Sequence, residues 1–186
     1  MTLYSSILFV HGVAVLLLTA TLTMEAVLLF SLRRTVRAAE ARIWTGAAPA
    51  IAIAGACALV TILVTGGYLS KSLGAAGLAW SRFATIDVLV FALLGGFTGF
   101  RIRAIRRFVQ QNSFDQSEWR VLTRGWFLKL SLSVRLCIVM GTMLLTAAKP
   151  ALFQCFTIVG VALTLGALFS LLSFGHNSVI STADLS

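Results

Sequence analysis

Four ionisable side chains interrupt long apolar stretches of this sequence, and they are the residues best able to do chemistry. They are His11, Glu25, Asp87 and Arg135. A charge near the centre of a bilayer costs at least about 2.5 kcal/mol on insertion scales, so such a residue usually has a partner or a function. A histidine, two carboxylates and an arginine can form buried ion pairs, relay protons or bind a small polar ligand. We therefore take these four as the intramembrane polar candidates.

The spacing of the four residues predicts two pairs at different depths. His11 and Glu25 are fourteen residues apart, which puts them about 40° apart around a helix and about 21 Å apart along it. Asp87 is near the depth of His11, and Arg135, six residues beyond Lys129, is near that of Glu25. We expect His11 to pair with Asp87 in the outer half of the membrane, and Glu25 with Arg135 in the inner half. A structural ion pair and a functional one are equal alternatives for Glu25 and Arg135.

The elements that must position these residues are transmembrane helices. The chain has 186 residues, of which 59% are hydrophobic and 11% are charged, whereas a soluble domain carries about 25% charged residues. The composition predicts an all-α, polytopic membrane helix bundle and one integral membrane domain over residues 1–186, without a soluble domain. The five transmembrane helices are expected at about 3–32, 47–69, 83–100, 130–148 and 151–174. The first is interpreted as a retained helix, because it is too long for a signal peptide.

The basic residues predict the orientation of the bundle. Eleven of them lie between spans one and two or between spans three and four, and three lie on the opposite side. By the positive-inside rule, we expect the N-terminus outside and the C-terminus in the cytoplasm. The same arginines account for the net charge of +9, so we expect contacts with membrane lipids and no nucleic-acid partner. Four tryptophans are expected to anchor the interfaces, Trp80 at the outer one and Trp44, Trp119 and Trp126 at the inner one.

The segment before span four has a helical pattern of its own. Phe114, Trp119, Leu122 and Trp126 recur at helical intervals among charged residues. The pattern predicts an amphipathic helix on the inner leaflet over about 113–129. A helical linker whose aromatic side chains pack on the bundle is an equal alternative.

Small and hydroxyl-bearing residues mark faces of three spans. Gly95 and Gly99 form a small-x-x-x-small face in span three, which predicts close helix packing. Polar stripes occur in span four and, more weakly, in span two. They comprise Ser131, Arg135, Thr142, Thr146 and Lys149, and Cys57, Thr61, Thr65 and Tyr68. The stripes could line a solvated path, but hydroxyls that bond across helices or to their own carbonyls are favoured.

No cofactor can be assigned from the sequence. His11 is expected in the outer half and His176 at the inner surface, so one chain does not offer two axial haem ligands at one depth. The three cysteines are isolated, and no zinc or redox spacing occurs. No catalytic motif of a metalloprotease, hydrolase or phosphate-binding loop is present.

Several short segments carry a family resemblance. They are His11-Gly12, Thr65-Gly66-Gly67-Tyr68-Leu69, Gly77-Leu78-Ala79-Trp80, Gly99-Phe100-Arg101-Ile102-Arg103, Leu130-Ser131-Leu132-Ser133-Val134-Arg135 and Ala147-Ala148-Lys149-Pro150. With them the chain resembles small bacterial inner-membrane proteins of unknown function, which are distantly similar to the membrane domain of copper-resistance protein D. The resemblance implies a helix bundle in the inner membrane. It implies no copper function, because the copper ligands are largely missing, and it transfers no catalytic residue.

Three functional classes follow. The favoured one is a non-catalytic accessory or structural subunit of a larger membrane complex, with other membrane subunits or further copies of the chain as partners. The second is a small carrier or channel for a proton or small solute, using the four ionisable residues. A haem- or quinone-linked membrane redox protein ranks third, so an enzyme is the less favoured reading.

Overall fold

Five long helices make up the part of the chain that the structure describes. The computed structural model describes residues 2–35, 37–110 and 126–183, and only the backbone of residues 38, 126, 169 and 171–183. The helices are α1 (Leu3–Arg34), α2 (Ala38–Ser72), α3 (Ala79–Gln110), α4 (Trp126–Ala148) and α5 (Leu152–Ala183). The predicted all-α bundle of five helices is thus found within these ranges.

Four of the described helices, α1 to α4, are long and apolar enough to cross a membrane. Their most apolar 18-residue windows have a mean hydropathy of 1.8 to 2.3, and such a stretch covers the hydrocarbon core of a bilayer. Large apolar side chains are exposed along them, for example Phe9, Leu16 and Val64. The apolar part described for α5, Leu152–Leu168, is shorter.

Two helices extend well past the apolar stretches predicted for them. The second predicted span begins at about residue 47, but α2 begins at Ala38. Pro49, which would lie in the first turn of a helix that began at residue 47, therefore lies inside α2. Because proline has no N–H, one backbone hydrogen bond of α2 is missing at this point. Similarly, α3 continues through its arginines to Gln110, since hydrogen bonds within a helix do not require an apolar environment.

Two tight turns join helices at one end of the bundle. Gly74, with φ of 65°, follows α2, and Lys149, with φ of 47°, follows α4. Left-handed backbone is ordinary for glycine and unusual for lysine. Lys149 and Pro150 lie in this short connection between α4 and α5, as the predicted spans 130–148 and 151–174 require.

Helices that are neighbours in sequence pack against each other, while α1 meets α4 and α3 meets α5 over shorter stretches. Two buried clusters result. One lies towards the C-terminal ends of α1 and α3 and comprises Leu28, Leu29, Leu32, Ala41, Ala48, Ile102, Ile105, Val109 and Leu128. The other lies nearer the middle and comprises Leu18, Leu22, Ala58, Phe91 and Ile138. The polar candidates are held between and beside these clusters.

Glycines bring α4 and α5 close together. A Cβ atom on Gly166 would lie 2.8 Å from the Cα atom of Val134, so that only glycine fits against this backbone. Gly95 instead faces a side chain, with its Cβ position 3.3 Å from Nη1 of Arg135, and no described atom lies within 4 Å of the Cβ position of Gly99. The packing role predicted for Gly99 therefore stays a prediction.

Candidate functional site

Glu25 and Arg135 form an ion pair between α1 and α4. Nη2 of Arg135 donates to Oε1 of Glu25 at 2.5 Å, and the exposed fractions of the two side chains are 4% for Arg135 and 16% for Glu25. Their matched depths predicted this contact, and the structure confirms it. Opposite charges at this distance lower the cost of placing each other in a low-dielectric environment.

The guanidinium of Arg135 also contacts residues of α3 and α4. Nε of Arg135 donates to the carbonyl oxygen of Ser131 at 3.4 Å. The guanidinium carbon lies 5.4 Å from the centroid of the Phe91 ring, within the range of a cation–π interaction. Gly95 leaves the space that Nη1 occupies. Contacts from α1, α3 and α4 thus fix this one side chain.

A second polar contact, between Thr98 and Ser131, joins α3 to α4. The two hydroxyl oxygens are 2.7 Å apart, and both side chains are buried. The hydroxyls of Thr98 and Ser131 both lie within reach of the carbonyl oxygen of Leu94, at 3.0 Å and 3.3 Å, so either one can donate to that carbonyl while it accepts from the other. The sequence did not single out Thr98. Thr98 lies seven residues after Phe91 and eleven after Asp87, which places it on the same, buried face of α3. This helical spacing could have identified Thr98 from the sequence.

His11 bonds to α2 rather than to Asp87, so the predicted outer pair is wrong. Nδ1 of His11 lies 2.8 Å from Oγ1 of Thr65. The same hydroxyl lies 2.5 Å from the carbonyl oxygen of Thr61. It can donate to that carbonyl and accept from Nδ1, or donate to Nδ1, depending on which ring nitrogen of His11 carries the proton. Gly66 lies directly beside the ring, since a Cβ atom there would be 3.3 Å from Cε1 of His11.

Asp87 is buried between α3 and α4 and takes a hydroxyl as its partner. Oγ1 of Thr142 donates to Oδ2 of Asp87 at 3.2 Å, and the same hydroxyl lies 2.9 Å from the carbonyl of Ile138. The pairing with His11 fails because depth alone does not define how a helix is rotated. The side of α3 that carries Asp87 is turned towards α4, while His11 is turned towards α2.

Most hydroxyls of the two predicted stripes bond within their own helix. Thr61 donates to Cys57, and Thr146 donates to Thr142 and Met143. In these residues the stripes follow the favoured interpretation of back-bonded hydroxyls. Thr65, Thr142 and Ser131 differ, because each also contacts a neighbouring helix.

A large cavity lies beside these contacts, at the end of the bundle where α1 begins and α4 ends. Its volume is about 1130 Å³, and α1, α2, α3 and α4 all line it. His11, Phe91 and Thr142 are among the lining residues. The ring of Phe91 lies between the cavity and Arg135, because it lines the one and contacts the other. The cavity could not be predicted from the sequence, since most of its wall consists of ordinary apolar residues.

The predicted interfacial anchors are only partly described. Trp80 lines the cavity, and Trp44 packs against the buried cluster near the ends of α1 and α3. Trp119, the side chain of Trp126, the side chain of His176 and residues 113–125 of the predicted amphipathic helix lie outside the described part of the chain. The last four residues of that predicted helix, 126–129, form the beginning of α4.

These features define a class of protein, a membrane protein built as a helix bundle with polar cross-links between its helices. Within the described ranges, no group of three or more His, Cys, Asp or Glu residues is arranged to hold a metal ion. No family model matches the chain, and neither a curated protein nor a solved structure matches it. The resemblance to the membrane domain of copper-resistance protein D has no support from these comparisons.

Proposed function

We propose that the chain is a five-span protein of the bacterial inner membrane that serves as a non-catalytic accessory subunit of a larger membrane complex. The use made of its intramembrane polar groups is the observation that carries this proposal. Glu25–Arg135 links α1 to α4, His11–Thr65 links α1 to α2, and Asp87–Thr142 and Thr98–Ser131 link α3 to α4. Each of the four candidates thus uses a polar atom to hold two helices together, which is the role expected in a structural bundle.

The ends of the helices support the proposed orientation. Arg33 and Arg34 end α1, and four arginines lie in the last third of α3. Lys71, Arg82 and Lys149 lie near the opposite helix ends. With the arginine-rich ends in the cytoplasm, the N-terminus is outside.

Labelling with a membrane-impermeant maleimide tests this orientation in a variant without native cysteines. Ser72→Cys is expected to react in intact cells and Arg37→Cys only after lysis, and the reverse pattern would invert the topology.

A face of α3 is the candidate contact surface for a partner. No described atom lies within 4 Å of the Cβ positions of Gly96 and Gly99, and Phe97 and Phe100 beside them are exposed. Small residues beside large apolar ones allow another helix to approach closely. In the proposed complex, a helix of another subunit packs on Gly99.

Native mass spectrometry of the tagged protein, gently extracted from its own membrane, tests the proposal. We expect defined masses of other membrane proteins, and we expect Gly99→Leu to lose them. Gly160→Leu is the matched control, because Gly160 lies on α5 with no described atom within 4 Å of its Cβ position. A chain that appears only as a monomer or homo-oligomer, for the original sequence as well, would refute the subunit proposal.

A carrier for a small solute is the second candidate, and the cavity beside His11 is the observation that favours it. A cavity of this size can hold a ligand, and a histidine can bind or transfer a proton. Phe91 and the Glu25–Arg135 pair lie at its inner end, so transport through the bundle requires these side chains to move. Purification as a homo-oligomer, together with solute uptake into proteoliposomes that His11→Ala abolishes, would favour this candidate over the accessory subunit.

A further inference from the structure

The charged residues that line the cavity favour an anionic ligand. Among the described residues, the charged ones that line it are Arg82, at the beginning of α3, and Lys149, after the end of α4, and no described carboxylate lines it. Both side chains are exposed, and within the described part of the chain neither forms a salt bridge. A pair of unneutralised cations at one end of a cavity attracts an anion.

The wall of the cavity is apolar below these cations. Aliphatic side chains from α1, α2, α3 and α4 make up most of it, and Phe91 forms the inner end. Pockets for drug-sized ligands have volumes of about 300–1000 Å³, so about 1130 Å³ is enough for a larger, flexible apolar group. The small polar contribution comes from His11, Thr142 and a few other hydroxyls.

The cavity is also open towards the surface that lipid covers. Phe9, Leu16, Ile86 and Met143 line it and are exposed at the same time. α1 meets α4 over a short stretch, the Glu25–Arg135 pair joins the two helices, and residues of both helices line the cavity. An amphiphile can therefore enter from the membrane without crossing water.

We propose that this cavity binds one anionic lipid-like amphiphile, with its acyl chain against the apolar wall and its negatively charged headgroup at Arg82 and Lys149. The proposal is independent of the accessory-subunit role, since a carrier or a subunit could hold such a lipid.

Trp80 provides a direct probe, because it lines the cavity. In a variant with Phe in place of Trp44, Trp119 and Trp126, brominated phosphatidylglycerol should quench the fluorescence of Trp80 more strongly than brominated phosphatidylcholine. Each cation near an anionic lipid surface contributes about a fivefold preference, so two cations give ~30-fold. Glycerol 3-phosphate should not relieve the quenching, since it has no acyl chain.

Three variants make the test specific. Arg82→Gln with Lys149→Asn should abolish the preference for the anionic lipid, and asparagine retains the left-handed backbone at residue 149. Lys71→Gln, an exposed lysine near the same helix ends but not in the cavity wall, should leave it unchanged. Gly67→Leu should fill the cavity and reduce quenching by both lipids, because Gly67 lines it with open space at its Cβ position.

Equal quenching by the anionic and neutral lipids, or quenching unaffected by Gly67→Leu, would overturn the proposal. Full competition by glycerol 3-phosphate would also overturn it, since the ligand would then be a soluble phosphate. None of these outcomes depends on whether the protein copurifies with other subunits, so the two proposals can fail separately.

Discussion

Breaking the ion pair between Glu25 and Arg135 from one side should remove a large part of the stability of the bundle. Replacing Arg135 by Gln leaves the Glu25 carboxylate without its cation, although the side chain of Glu25 is only 16% exposed. Breaking a buried pair in this way costs about 3–5 kcal/mol, because the remaining charge is uncompensated. For a chain of this size, that corresponds to a decrease in the melting temperature of ~6–20 °C. The loss is large relative to a total stability of about 5–15 kcal/mol.

A double variant distinguishes the effect of losing the ion pair from the effect of losing the Arg135 side chain. In Glu25→Gln/Arg135→Gln both charges are gone, so neither is left unpaired in the membrane. We expect it to be more stable than Arg135→Gln alone, with a coupling energy of at least about 1.5 kcal/mol. Arg82→Gln is the matched control. Because Arg82 is exposed and forms no salt bridge among the described residues, its loss should change stability by less than about 0.5 kcal/mol.

Thermal unfolding of the purified variants in a mild detergent, followed by tryptophan fluorescence, measures these differences. Expression level in the membrane gives a second readout, since Glu25→Gln should restore the amount lost in Arg135→Gln. Strictly additive effects of the two substitutions would refute the reasoning. So would a decrease for Arg82→Gln as large as that for Arg135→Gln, because the cost would then arise from losing any arginine and not from an unpaired carboxylate.

Two further predictions concern packing within the bundle, and both are measured as melting temperatures in detergent. Thr98→Val should cost about 0.5–1.5 kcal/mol, because the buried bond between the two hydroxyls is lost and Ser131 keeps only the carbonyl of Leu94 as a partner. Thr146→Val, at an exposed residue that bonds to its own helix, should be nearly neutral, and equal effects would contradict the proposed link between α3 and α4. Gly166→Ala should cost about 1–3 kcal/mol, since its Cβ atom would lie 2.8 Å from the backbone of α4. Gly160→Ala, with open space at its Cβ position, should instead stabilise α5 by up to about 1 kcal/mol, and a stabilised Gly166→Ala would show that the two helices can separate at little cost.

Depth in the membrane could be read from the sequence, but the rotation of each helix could not. Glu25 and Arg135 lie at matching depths and meet, whereas His11 and Asp87 also lie at similar depths and do not. The difference is set by which faces of α1 and α3 are buried. That depends on packing against α2 and α4, and the apolar positions of a membrane helix give weak information about it because lipid also covers apolar faces.

The ends of some helices also could not be predicted from the sequence. Hydropathy locates the stretch that can enter hydrocarbon, and it therefore placed the second span after residue 47. The helix itself begins at Ala38, because polar and charged residues continue the hydrogen-bonded backbone beyond the membrane. The interior position of Pro49 follows directly from this longer helix.

The ion pair and the cavity are two consequences of one arrangement of α1 and α4. Glu25 and Arg135 hold the two helices together at one level, and Phe91 packs against the guanidinium on the side of the cavity. Beyond Phe91 no comparable polar contact joins α1 to α4 within the described residues: His11 is directed to α2, and Thr142 to Asp87 of α3. The helices are therefore free to stand apart there, and lipid can occupy the space between them. Breaking the ion pair should therefore lower the stability of the bundle and also weaken lipid binding at Trp80, although neither Glu25 nor Arg135 lines the cavity.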